Sequence, residues 1–361
     1  MTPNGPAPNM RRVGVVGDGL SGLIAGLSAA SNGVEVAIFG RFEPLGGLAS
    51  PVNHNATWLF DRTPILWRRK GPLDSLLNRL KVPMPTRKIP TSSMAIVRDN
   101  QRHTLPKAGF SLRRSSGKLA TEWLSLIKAA KAGELGDLEG ITKDAAIFLS
   151  LLWNLDPNPC PEAILNIGWK NNARVAIDGW VGASGRLISA CKQTDVSFHT
   201  EGPVTGFRRR KNGVIDGVKR KGRVLPIDSV IQTSTRSDTA LFGRYLGLGG
   251  DYLRPHIALW DADNEVLLVD FASIAPERVP QEYRGKSSLL HCIAFGDSDS
   301  AAARIESLLD SQCLGWRSSI VEDFTLDDIR LPTIPDSEYD DGIYHAHIGN
   351  AFEIGKRASQ S

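Results

Sequence analysis

The chain has 361 residues, of which 41% are hydrophobic and 23% are charged, and its formal net charge is +4. This composition is typical of a globular protein and excludes a disordered or fibrous one. The small net charge does not indicate a nucleic-acid-binding protein, so we expect no nucleic-acid partner. The four cysteines are scattered without a C-x-x-C pair, which argues against a disulfide framework and a structural zinc site.

The apolar runs and the first residues bear on cellular location. No apolar run approaches the roughly 18 residues that cross a bilayer, so we expect no transmembrane segment. Residues 1–10 carry prolines and asparagines without an apolar stretch, and we interpret them as a loose tail, which favours a cytoplasmic protein. The short basic runs at 67–70 and 208–211 are interpreted as solvated faces. Peripheral contact with an anionic membrane stays open, as does homo-oligomerisation.

The first predicted elements form a βαβ unit. Val13 to Val16 is a short apolar run that suits a strand of a parallel sheet, buried on both faces. From Leu20 to Asn32 the apolar residues recur at helical spacing, and Val34 to Phe39 resumes as a β-branched strand. Strand, helix and strand in so short a stretch predict a compact unit with a right-handed crossover.

The rest of the chain alternates helix-rich and strand-rich stretches. One amphipathic helix is predicted at 72–80, and further helices are predicted within 117–153. The Asn212-Gly213 pair predicts a hairpin between strands 204–210 and 214–219, because Asn-Gly suits a type I′ turn. The later patterns predict strands at 223–227, 228–233, 256–260, 265–271 and 288–295, a helix at 301–313, and a terminal strand and helix after residue 342.

A glycine-rich turn joins the first strand to the first helix. Residues 17–22 read GDGLSG and match the G-x-G-x-x-G fingerprint of dinucleotide-binding units. Gly17 permits the tight turn, Gly19 lets a diphosphate approach the backbone, and Gly22 lets the helix pack close to the strand. The N–H groups of Leu20 and Ser21 add the positive end of the helix dipole. The sequence therefore predicts a dinucleotide over this turn.

Several further segments resemble one superfamily. Residues 19–27, the second strand and the following Leu45-Gly46-Gly47-Leu48-Ala49 resemble the opening of the FAD-dependent amine oxidases and phytoene desaturases. Residues 71–77, a glycine turn at 182–187 and residues 350–358 are similar to later family segments, so the likeness spans the whole chain. The resemblance implies that Gly46, Gly47 and Leu48 lie against the FAD diphosphate and that the backbone of Val204 meets adenine.

The resemblance also implies the fold class and the division into domains. It implies an α/β fold in which a Rossmann-like FAD-binding domain, glutathione-reductase-like, is interwoven with an α+β substrate domain. The FAD-binding domain is expected at 11–90, 190–250 and 332–361, and the substrate domain at 91–189 and 251–331. The chain is thus expected to cross between the two domains several times.

One departure from the family pattern concerns the ribose. Where the family has an acidic residue that accepts hydrogen bonds from the adenosine ribose, this sequence has Gly40 followed by Arg41. Glu43 substitutes only if its loop bends back, whereas Arg41 suits the 2′-phosphate of NADP. FAD is favoured over NADP because Gly46 and Gly47 belong to the flavin pattern.

A second departure lies near the end of the sequence. The family has a Gly-Asp pair that binds FAD, whereas residues 344–349 run almost directly into the terminal helix without the aspartate. His345 and His347 fall on one face of the predicted strand; without a clear third ligand we expect no metal, and His347 is expected to hydrogen-bond cofactor or substrate. By the resemblance, the helix that begins near Asn350 and Ala351 directs its N-terminus at the flavin.

These features predict an enzyme, a flavin-dependent oxidoreductase of the oxidase or desaturase type. It would take hydride from a C–H bond of a small or isoprenoid-like substrate. No residue is assigned as a catalytic acid, base or nucleophile. A non-redox FAD-dependent mutase or isomerase is one alternative. The other is a divergent nucleotide-binding protein that uses NADP or has lost flavin redox activity, which the two departures motivate.

Overall fold

The computed structural model describes residues 11–40, 44–52, 57–79, 82, 84–108, 118–233, 236–332, 337, 339–340, 342–346 and 350–360. The expected tail at 1–10, Arg41, Glu43 and His347 lie outside these residues. The helices are α1 (Leu20–Ala30), α2 (Pro72–Arg79), α3 (Lys118–Ala132), α4 (Gly140–Asn154), α5 (Pro161–Ala163), α6 (Gly179–Lys192), α7 (Ser298–Gln312) and α8 (Ala351–Gln360).

The strands form four sheets. They are β1 (Arg12–Val16), β2 (Glu35–Phe39), β3 (Trp67–Arg68), β4 (Thr86–Lys88), β5 (Met94–Arg98), β6 (Gln101–Thr104), β7 (Ala173–Ala176), β8 (Val196–His199), β9 (Gly206–Arg209), β10 (Ile215–Arg220), β11 (Arg223–Pro226), β12 (Ser229–Thr233), β13 (Arg236–Leu248), β14 (Ala258–Asp261), β15 (Val266–Asp270), β16 (Ser288–Phe295), β17 (Ile320–Pro332), β18 (Tyr339–Asp340) and β19 (Ile343–Ala346).

The first sheet carries the predicted βαβ unit at its centre. Its strand order is β18-β19-β12-β1-β2-β8, and every pair of neighbours is parallel except β18 with β19. Val13 and Val15 of β1 are fully buried, as a strand covered on both faces requires. The structure confirms the predicted return of the chain to this sheet at β12.

The last helix, α8, packs directly against α1. A Cβ on Gly355 would lie 2.2 Å from the carbonyl oxygen of Ala25, so only glycine allows this close approach. The Ser28 hydroxyl of α1 donates a hydrogen bond to the carbonyl oxygen of Phe352 at 2.7 Å. The end of the described chain is thereby fixed beside the first βαβ unit.

The second sheet is larger and mostly antiparallel. Its order is β17-β13-β16-β15-β14-β5-β6, with only β14 and β5 parallel. Alternate residues of β16 divide between two cores: Leu290 and Cys292 pack with the α7 side, and Leu289 and Ile293 pack in the large core that includes α3 and α4. Both faces of this sheet are therefore covered.

Two three-stranded sheets complete the fold. The order β11-β10-β9 confirms the predicted hairpin and its third strand, with Gly213 at φ +84° in the turn. The other small sheet has the order β3-β7-β4. Within the described residues, no helix has the length and apolarity to cross a membrane.

The structure corrects two expectations about the middle of the chain. Residues 190–250 were expected in the first domain, but β13 pairs with β16 and β17 in the second sheet, so the chain leaves the first sheet after Thr233 and returns to it only at β18 and β19. Residues 182–187 were expected as a glycine turn before a helix, but they lie inside α6. That helix begins at Gly179, at φ +69°, where a Cβ would lie 2.5 Å from the Asp61 carboxylate.

A buried ion pair joins the loop of Asp61 to that of Arg278. The Arg278 guanidinium lies 2.9 Å from Asp61 Oδ2, and both side chains are 1% exposed. Asp61 Oδ1 accepts hydrogen bonds from the first-turn N–H groups of Trp180 and Val181 in α6, at 2.7 and 3.3 Å. Burial raises the pKa of Asp61, and the charge of Arg278 opposes that rise. Each charge therefore compensates the other in the core.

A second buried carboxyl group, Asp270, lies at the end of β15. Its Oδ1 accepts hydrogen bonds from the N–H groups of Leu289 and Ala272, at 2.9 and 3.0 Å, and its Oδ2 accepts one from the Ser273 hydroxyl. Burial nevertheless raises the pKa of Asp270 to about 6. This group therefore titrates in the range where most carboxyl groups are already ionised.

Candidate functional site

The glycine turn at residues 17–22 is closed by two glycines that the protein itself requires. Gly17 has φ +120°, and a Cβ there would lie 1.9 Å from the Thr233 hydroxyl oxygen. A Cβ on Gly22 would lie 1.9 Å from the carbonyl oxygen of Gly17. Neither contact is tolerable, so these glycines set the fold of the turn before any ligand is considered.

Gly19 is different, because none of the residues that the structure describes fills the space beside it. Its backbone angles, φ −70° and ψ 179°, suit any residue. The nearest atom to a Cβ built on Gly19 would be the carbonyl oxygen of Gly46, at 4.0 Å. The missing side chain therefore leaves an open approach to the backbone, which is the feature that a diphosphate needs.

The first turn of α1 offers hydrogen-bond donors to that space. The first intrahelical bond runs from Leu23 N to Gly19 O at 3.0 Å, so the N–H groups of Leu20, Ser21 and Gly22 precede it. Gly19, the N-cap, provides no side-chain cap, and the first turn contains no acidic residue. Phosphate oxygens are suitable partners for such a helix start, because they are anionic acceptors.

The second glycine segment packs onto this turn. Gly46 N donates a hydrogen bond to the backbone oxygen of Asp18 at 3.0 Å, and a Cβ on Gly47 would lie 3.1 Å from Gly19 Cα. Gly46 and Gly47 both have positive φ, at +115° and +56°. Leu48, in contrast, is half-buried and packs against the large core of the second sheet.

The end of β2 holds a feature that the sequence analysis missed. A Cβ built on Gly40 would lie 3.0 Å from Asp18 Cγ and 3.1 Å from Asp18 Oδ2. The Asp18 carboxyl group, from within the glycine turn, therefore stands where a side chain at position 40 would begin. Burial raises the pKa of Asp18, and the nearby N–H groups of Asp18 and Gly46 oppose that rise.

Aromatic and apolar groups surround the ends of β2 and β8. The ring of His199 stacks on Phe39, with centroids 5.1 Å apart and planes at 19°. Burial lowers the pKa of His199, as do the charges of Arg220 and Arg12. Val204 is half-buried and packs against the core cluster that contains Phe39. Val204 and His199 thus lie near the end of β2, and no motif in the sequence indicated His199.

The predicted residues at the end of the chain are only partly described. His347 lies outside the described residues. Ala351 is the first residue of α8 and is 1% exposed, while the side-chain amide of Asn350 donates a hydrogen bond to the carbonyl oxygen of His345 at 3.3 Å. No group of three or more metal-ligating side chains forms among the residues that the structure describes.

Comparisons with known proteins bear on the fold. No family model matches the sequence, and a search of curated proteins gives no match either. Solved structures do match over nearly the whole chain. An oxidoreductase from Methanosarcina mazei has a TM-score of 0.71 at 16% identity and 94% coverage of both chains.

Two further structures show how widely the fold is shared. The cyclohexylamine oxidase of Brevibacterium oxydans has a TM-score of 0.67 at 12% identity and 98% coverage of both chains. The RAB GDI of Plasmodium falciparum has a TM-score of 0.61 at 14% identity and 97% coverage of both chains. The chain therefore has the α/β fold of these proteins, and at these identities the similarity establishes the fold alone.

Proposed function

We propose that this chain binds FAD and is a flavin-dependent oxidoreductase that acts on a C–H bond of a small or isoprenoid-like substrate. The observation that carries the proposal is the open space beside Gly19, next to the uncapped start of α1. Packing explains Gly17 and Gly22, but no contact among the described parts of the chain explains why position 19 lacks a side chain. A diphosphate resting on the backbone does explain it.

The role of the chain in this proposal is to hold and orient the cofactor. Bound FAD supplies a flavin ring that accepts a hydride from the substrate. The N–H groups of Leu20 and Ser21 bind the diphosphate from the helix start, and Gly46 and Gly47 approach it from the opposite side. Val204 faces the adenine.

The flavin end of the site is assigned by the resemblance. The start of α8, at Asn350 and Ala351, and His347 are proposed to lie beside the flavin ring, where the helix N-terminus favours negative charge. The cofactor-binding domain of this proposal comprises residues 11–90, 190–233 and 332–361, with the substrate domain in the remaining segments. The oxidoreductase and the oxidase that share the fold support the choice of reaction class.

A nucleotide-binding protein without redox activity is the second candidate. One observation favours it: the residue that follows β2 is Gly40 in place of an acidic residue. The two candidates differ in flavin chemistry rather than in the position of the nucleotide.

An absorption spectrum of the purified protein, followed by titration with FAD, tests the proposal. We expect either the absorption bands of a retained flavin or saturable binding of added FAD, followed in both cases by bleaching when a substrate reduces the flavin. A protein that neither retains nor binds FAD would overturn the proposal. A protein that binds FAD, but whose bound flavin is not reduced by substrate, would favour the second candidate.

A further inference from the structure

The ribose next to the adenine needs a hydrogen-bonding group in the protein, if the chain binds a dinucleotide as proposed above. Dinucleotide-binding βαβ units hold the adenosine ribose with an acidic residue about 20 residues after the glycine turn. In this chain the residue that follows β2 is Gly40, which has no side chain to donate or accept a hydrogen bond.

The space at the end of β2 is nevertheless taken by a carboxyl group. Asp18 Cγ, Cβ and Oδ2 all lie 3.0–3.1 Å from the position of a Cβ on Gly40. An acidic side chain at position 40 would therefore collide with Asp18 and place two negative charges side by side. The glycine at position 40 is what allows the aspartate at position 18 to lie there.

The Asp18 backbone is held firmly in this place. Its carbonyl oxygen accepts the hydrogen bond from Gly46 N at 3.0 Å, and Gly40 N is bonded to the carbonyl oxygen of His199 at 2.9 Å. Asp18 is half-buried, and it lies at the carboxyl ends of β1 and β2. Ligands of parallel α/β sheets bind outside the carboxyl ends of the strands.

We propose that Asp18 is the acceptor for the ribose hydroxyl groups of the bound dinucleotide. In this chain the acidic group lies in the glycine turn instead of at the end of the second strand. The absence of a side chain at Gly40 leaves room for it. The negative charge of the Asp18 carboxylate also disfavours a 2′-phosphate, because the two anionic groups would repel each other. The chain therefore selects FAD-type ribose over the ribose of NADP.

The test uses the full-length protein and compares FAD with its 2′-deoxyadenosine analogue by calorimetry, without any measurement of turnover. In the unmodified protein we expect removal of the 2′-hydroxyl to weaken binding by about 10-fold, the size of one hydrogen bond to a charged group. In Asp18→Gly and Asp18→Asn we expect the ratio of the two dissociation constants to fall below about threefold. A double variant, Asp18→Gly with Gly40→Glu, returns the carboxyl group to the strand end and should restore the ratio.

Each outcome has a separate meaning. If neither compound binds the unmodified protein, the proposed function fails and the role of Asp18 fails with it. If both bind and the Asp18 variants keep the full 2′-hydroxyl preference, the proposed function stands and only the assignment of Asp18 is overturned. Circular dichroism and thermal unfolding of each variant show that a lost preference does not come from a lost fold.

Discussion

Replacing Gly19 with alanine separates a ligand-driven glycine from the fold-driven glycines on either side of it. At φ −70° and ψ 179° alanine fits the backbone, and the nearest atom to its Cβ among the described residues outside the adjoining ones would be the carbonyl oxygen of Gly46 at 4.0 Å. We therefore expect Gly19→Ala to keep or raise the stability, by about 0.4–1 kcal/mol, because it restricts the unfolded chain. In Gly22→Ala the Cβ would lie 1.9 Å from Gly17 O, so we expect a loss of about 1–3 kcal/mol or more.

Gly19→Ala should weaken FAD binding, although it should keep or raise the stability of the fold. Its new methyl group occupies the approach of the diphosphate to the backbone, and displacement of the phosphate breaks at least one hydrogen bond to a charged group. Such a bond contributes about 1.5–3 kcal/mol, which corresponds to roughly a 10- to 150-fold rise in the dissociation constant.

The assay pairs FAD titration, followed by flavin fluorescence, with urea unfolding of the same samples. Gly249→Ala is the matched control. Gly249 follows β13 of the second sheet, and the nearest contact of a Cβ there would be an ordinary one, with the carbonyl oxygen of Ser319 at 3.7 Å. We expect the control to bind FAD as the unmodified protein does. The reasoning would be refuted if Gly19→Ala were stable and bound FAD within twofold of the unmodified protein.

Three further predictions concern stability. Asp270→Asn should remove a pH dependence of the free energy of unfolding. Folding raises the pKa of the Asp270 carboxyl group from 3.8 to about 6. Between pH 3 and pH 7 the stability of the unmodified protein should therefore fall by about 3 kcal/mol relative to that of the variant. Urea unfolding across that range measures it. Arg278→Ala should lower stability by about 3–5 kcal/mol, because it leaves the Asp61 carboxyl group buried without its charged partner. Gly185→Ala should raise the melting temperature, with a gain of up to about 1 kcal/mol, because Gly185 is exposed inside α6 and a Cβ there would have no contact within 4 Å in the described part of the chain.

Each of these predictions has a contrary outcome. Equal pH profiles for the two proteins would show that folding does not raise the pKa of Asp270. For Arg278 the control is Glu162→Ala, which breaks a surface pair with Arg68 and should cost less than about 1 kcal/mol. Equal losses in the two variants would contradict a buried ion pair. A destabilised Gly185→Ala would favour the glycine turn expected from the sequence over the helix.

Local patterns predicted the elements whose contacts are close in sequence. The unit β1-α1-β2 and the hairpin at Asn212-Gly213 follow from periodicity and turn chemistry within a few residues. The strand β13 was missed, because its partners β16 and β17 lie far along the chain and its own sequence alternates weakly. The helix start at Gly179 was missed because the buried Asp61 that binds it is remote in sequence.

The candidate site divides in the same way. Spacing alone identified Gly17, Gly19 and Gly22, and the second glycine pair was identified by resemblance. Spacing does not distinguish the glycines that the fold requires from the one that leaves open space, since that difference depends on Thr233 and on the carbonyl oxygen of Gly17. The position of Asp18 beside Gly40 was likewise beyond the sequence, because it depends on two strand ends lying side by side in the sheet.

A structure of the protein determined with FAD tests the central claim most directly. The account predicts the diphosphate within hydrogen-bond distance of the N–H groups of residues 20–22, with the adenosine ribose beside Asp18. Density for the nucleotide at any other place, with the space beside Gly19 still empty, would contradict it.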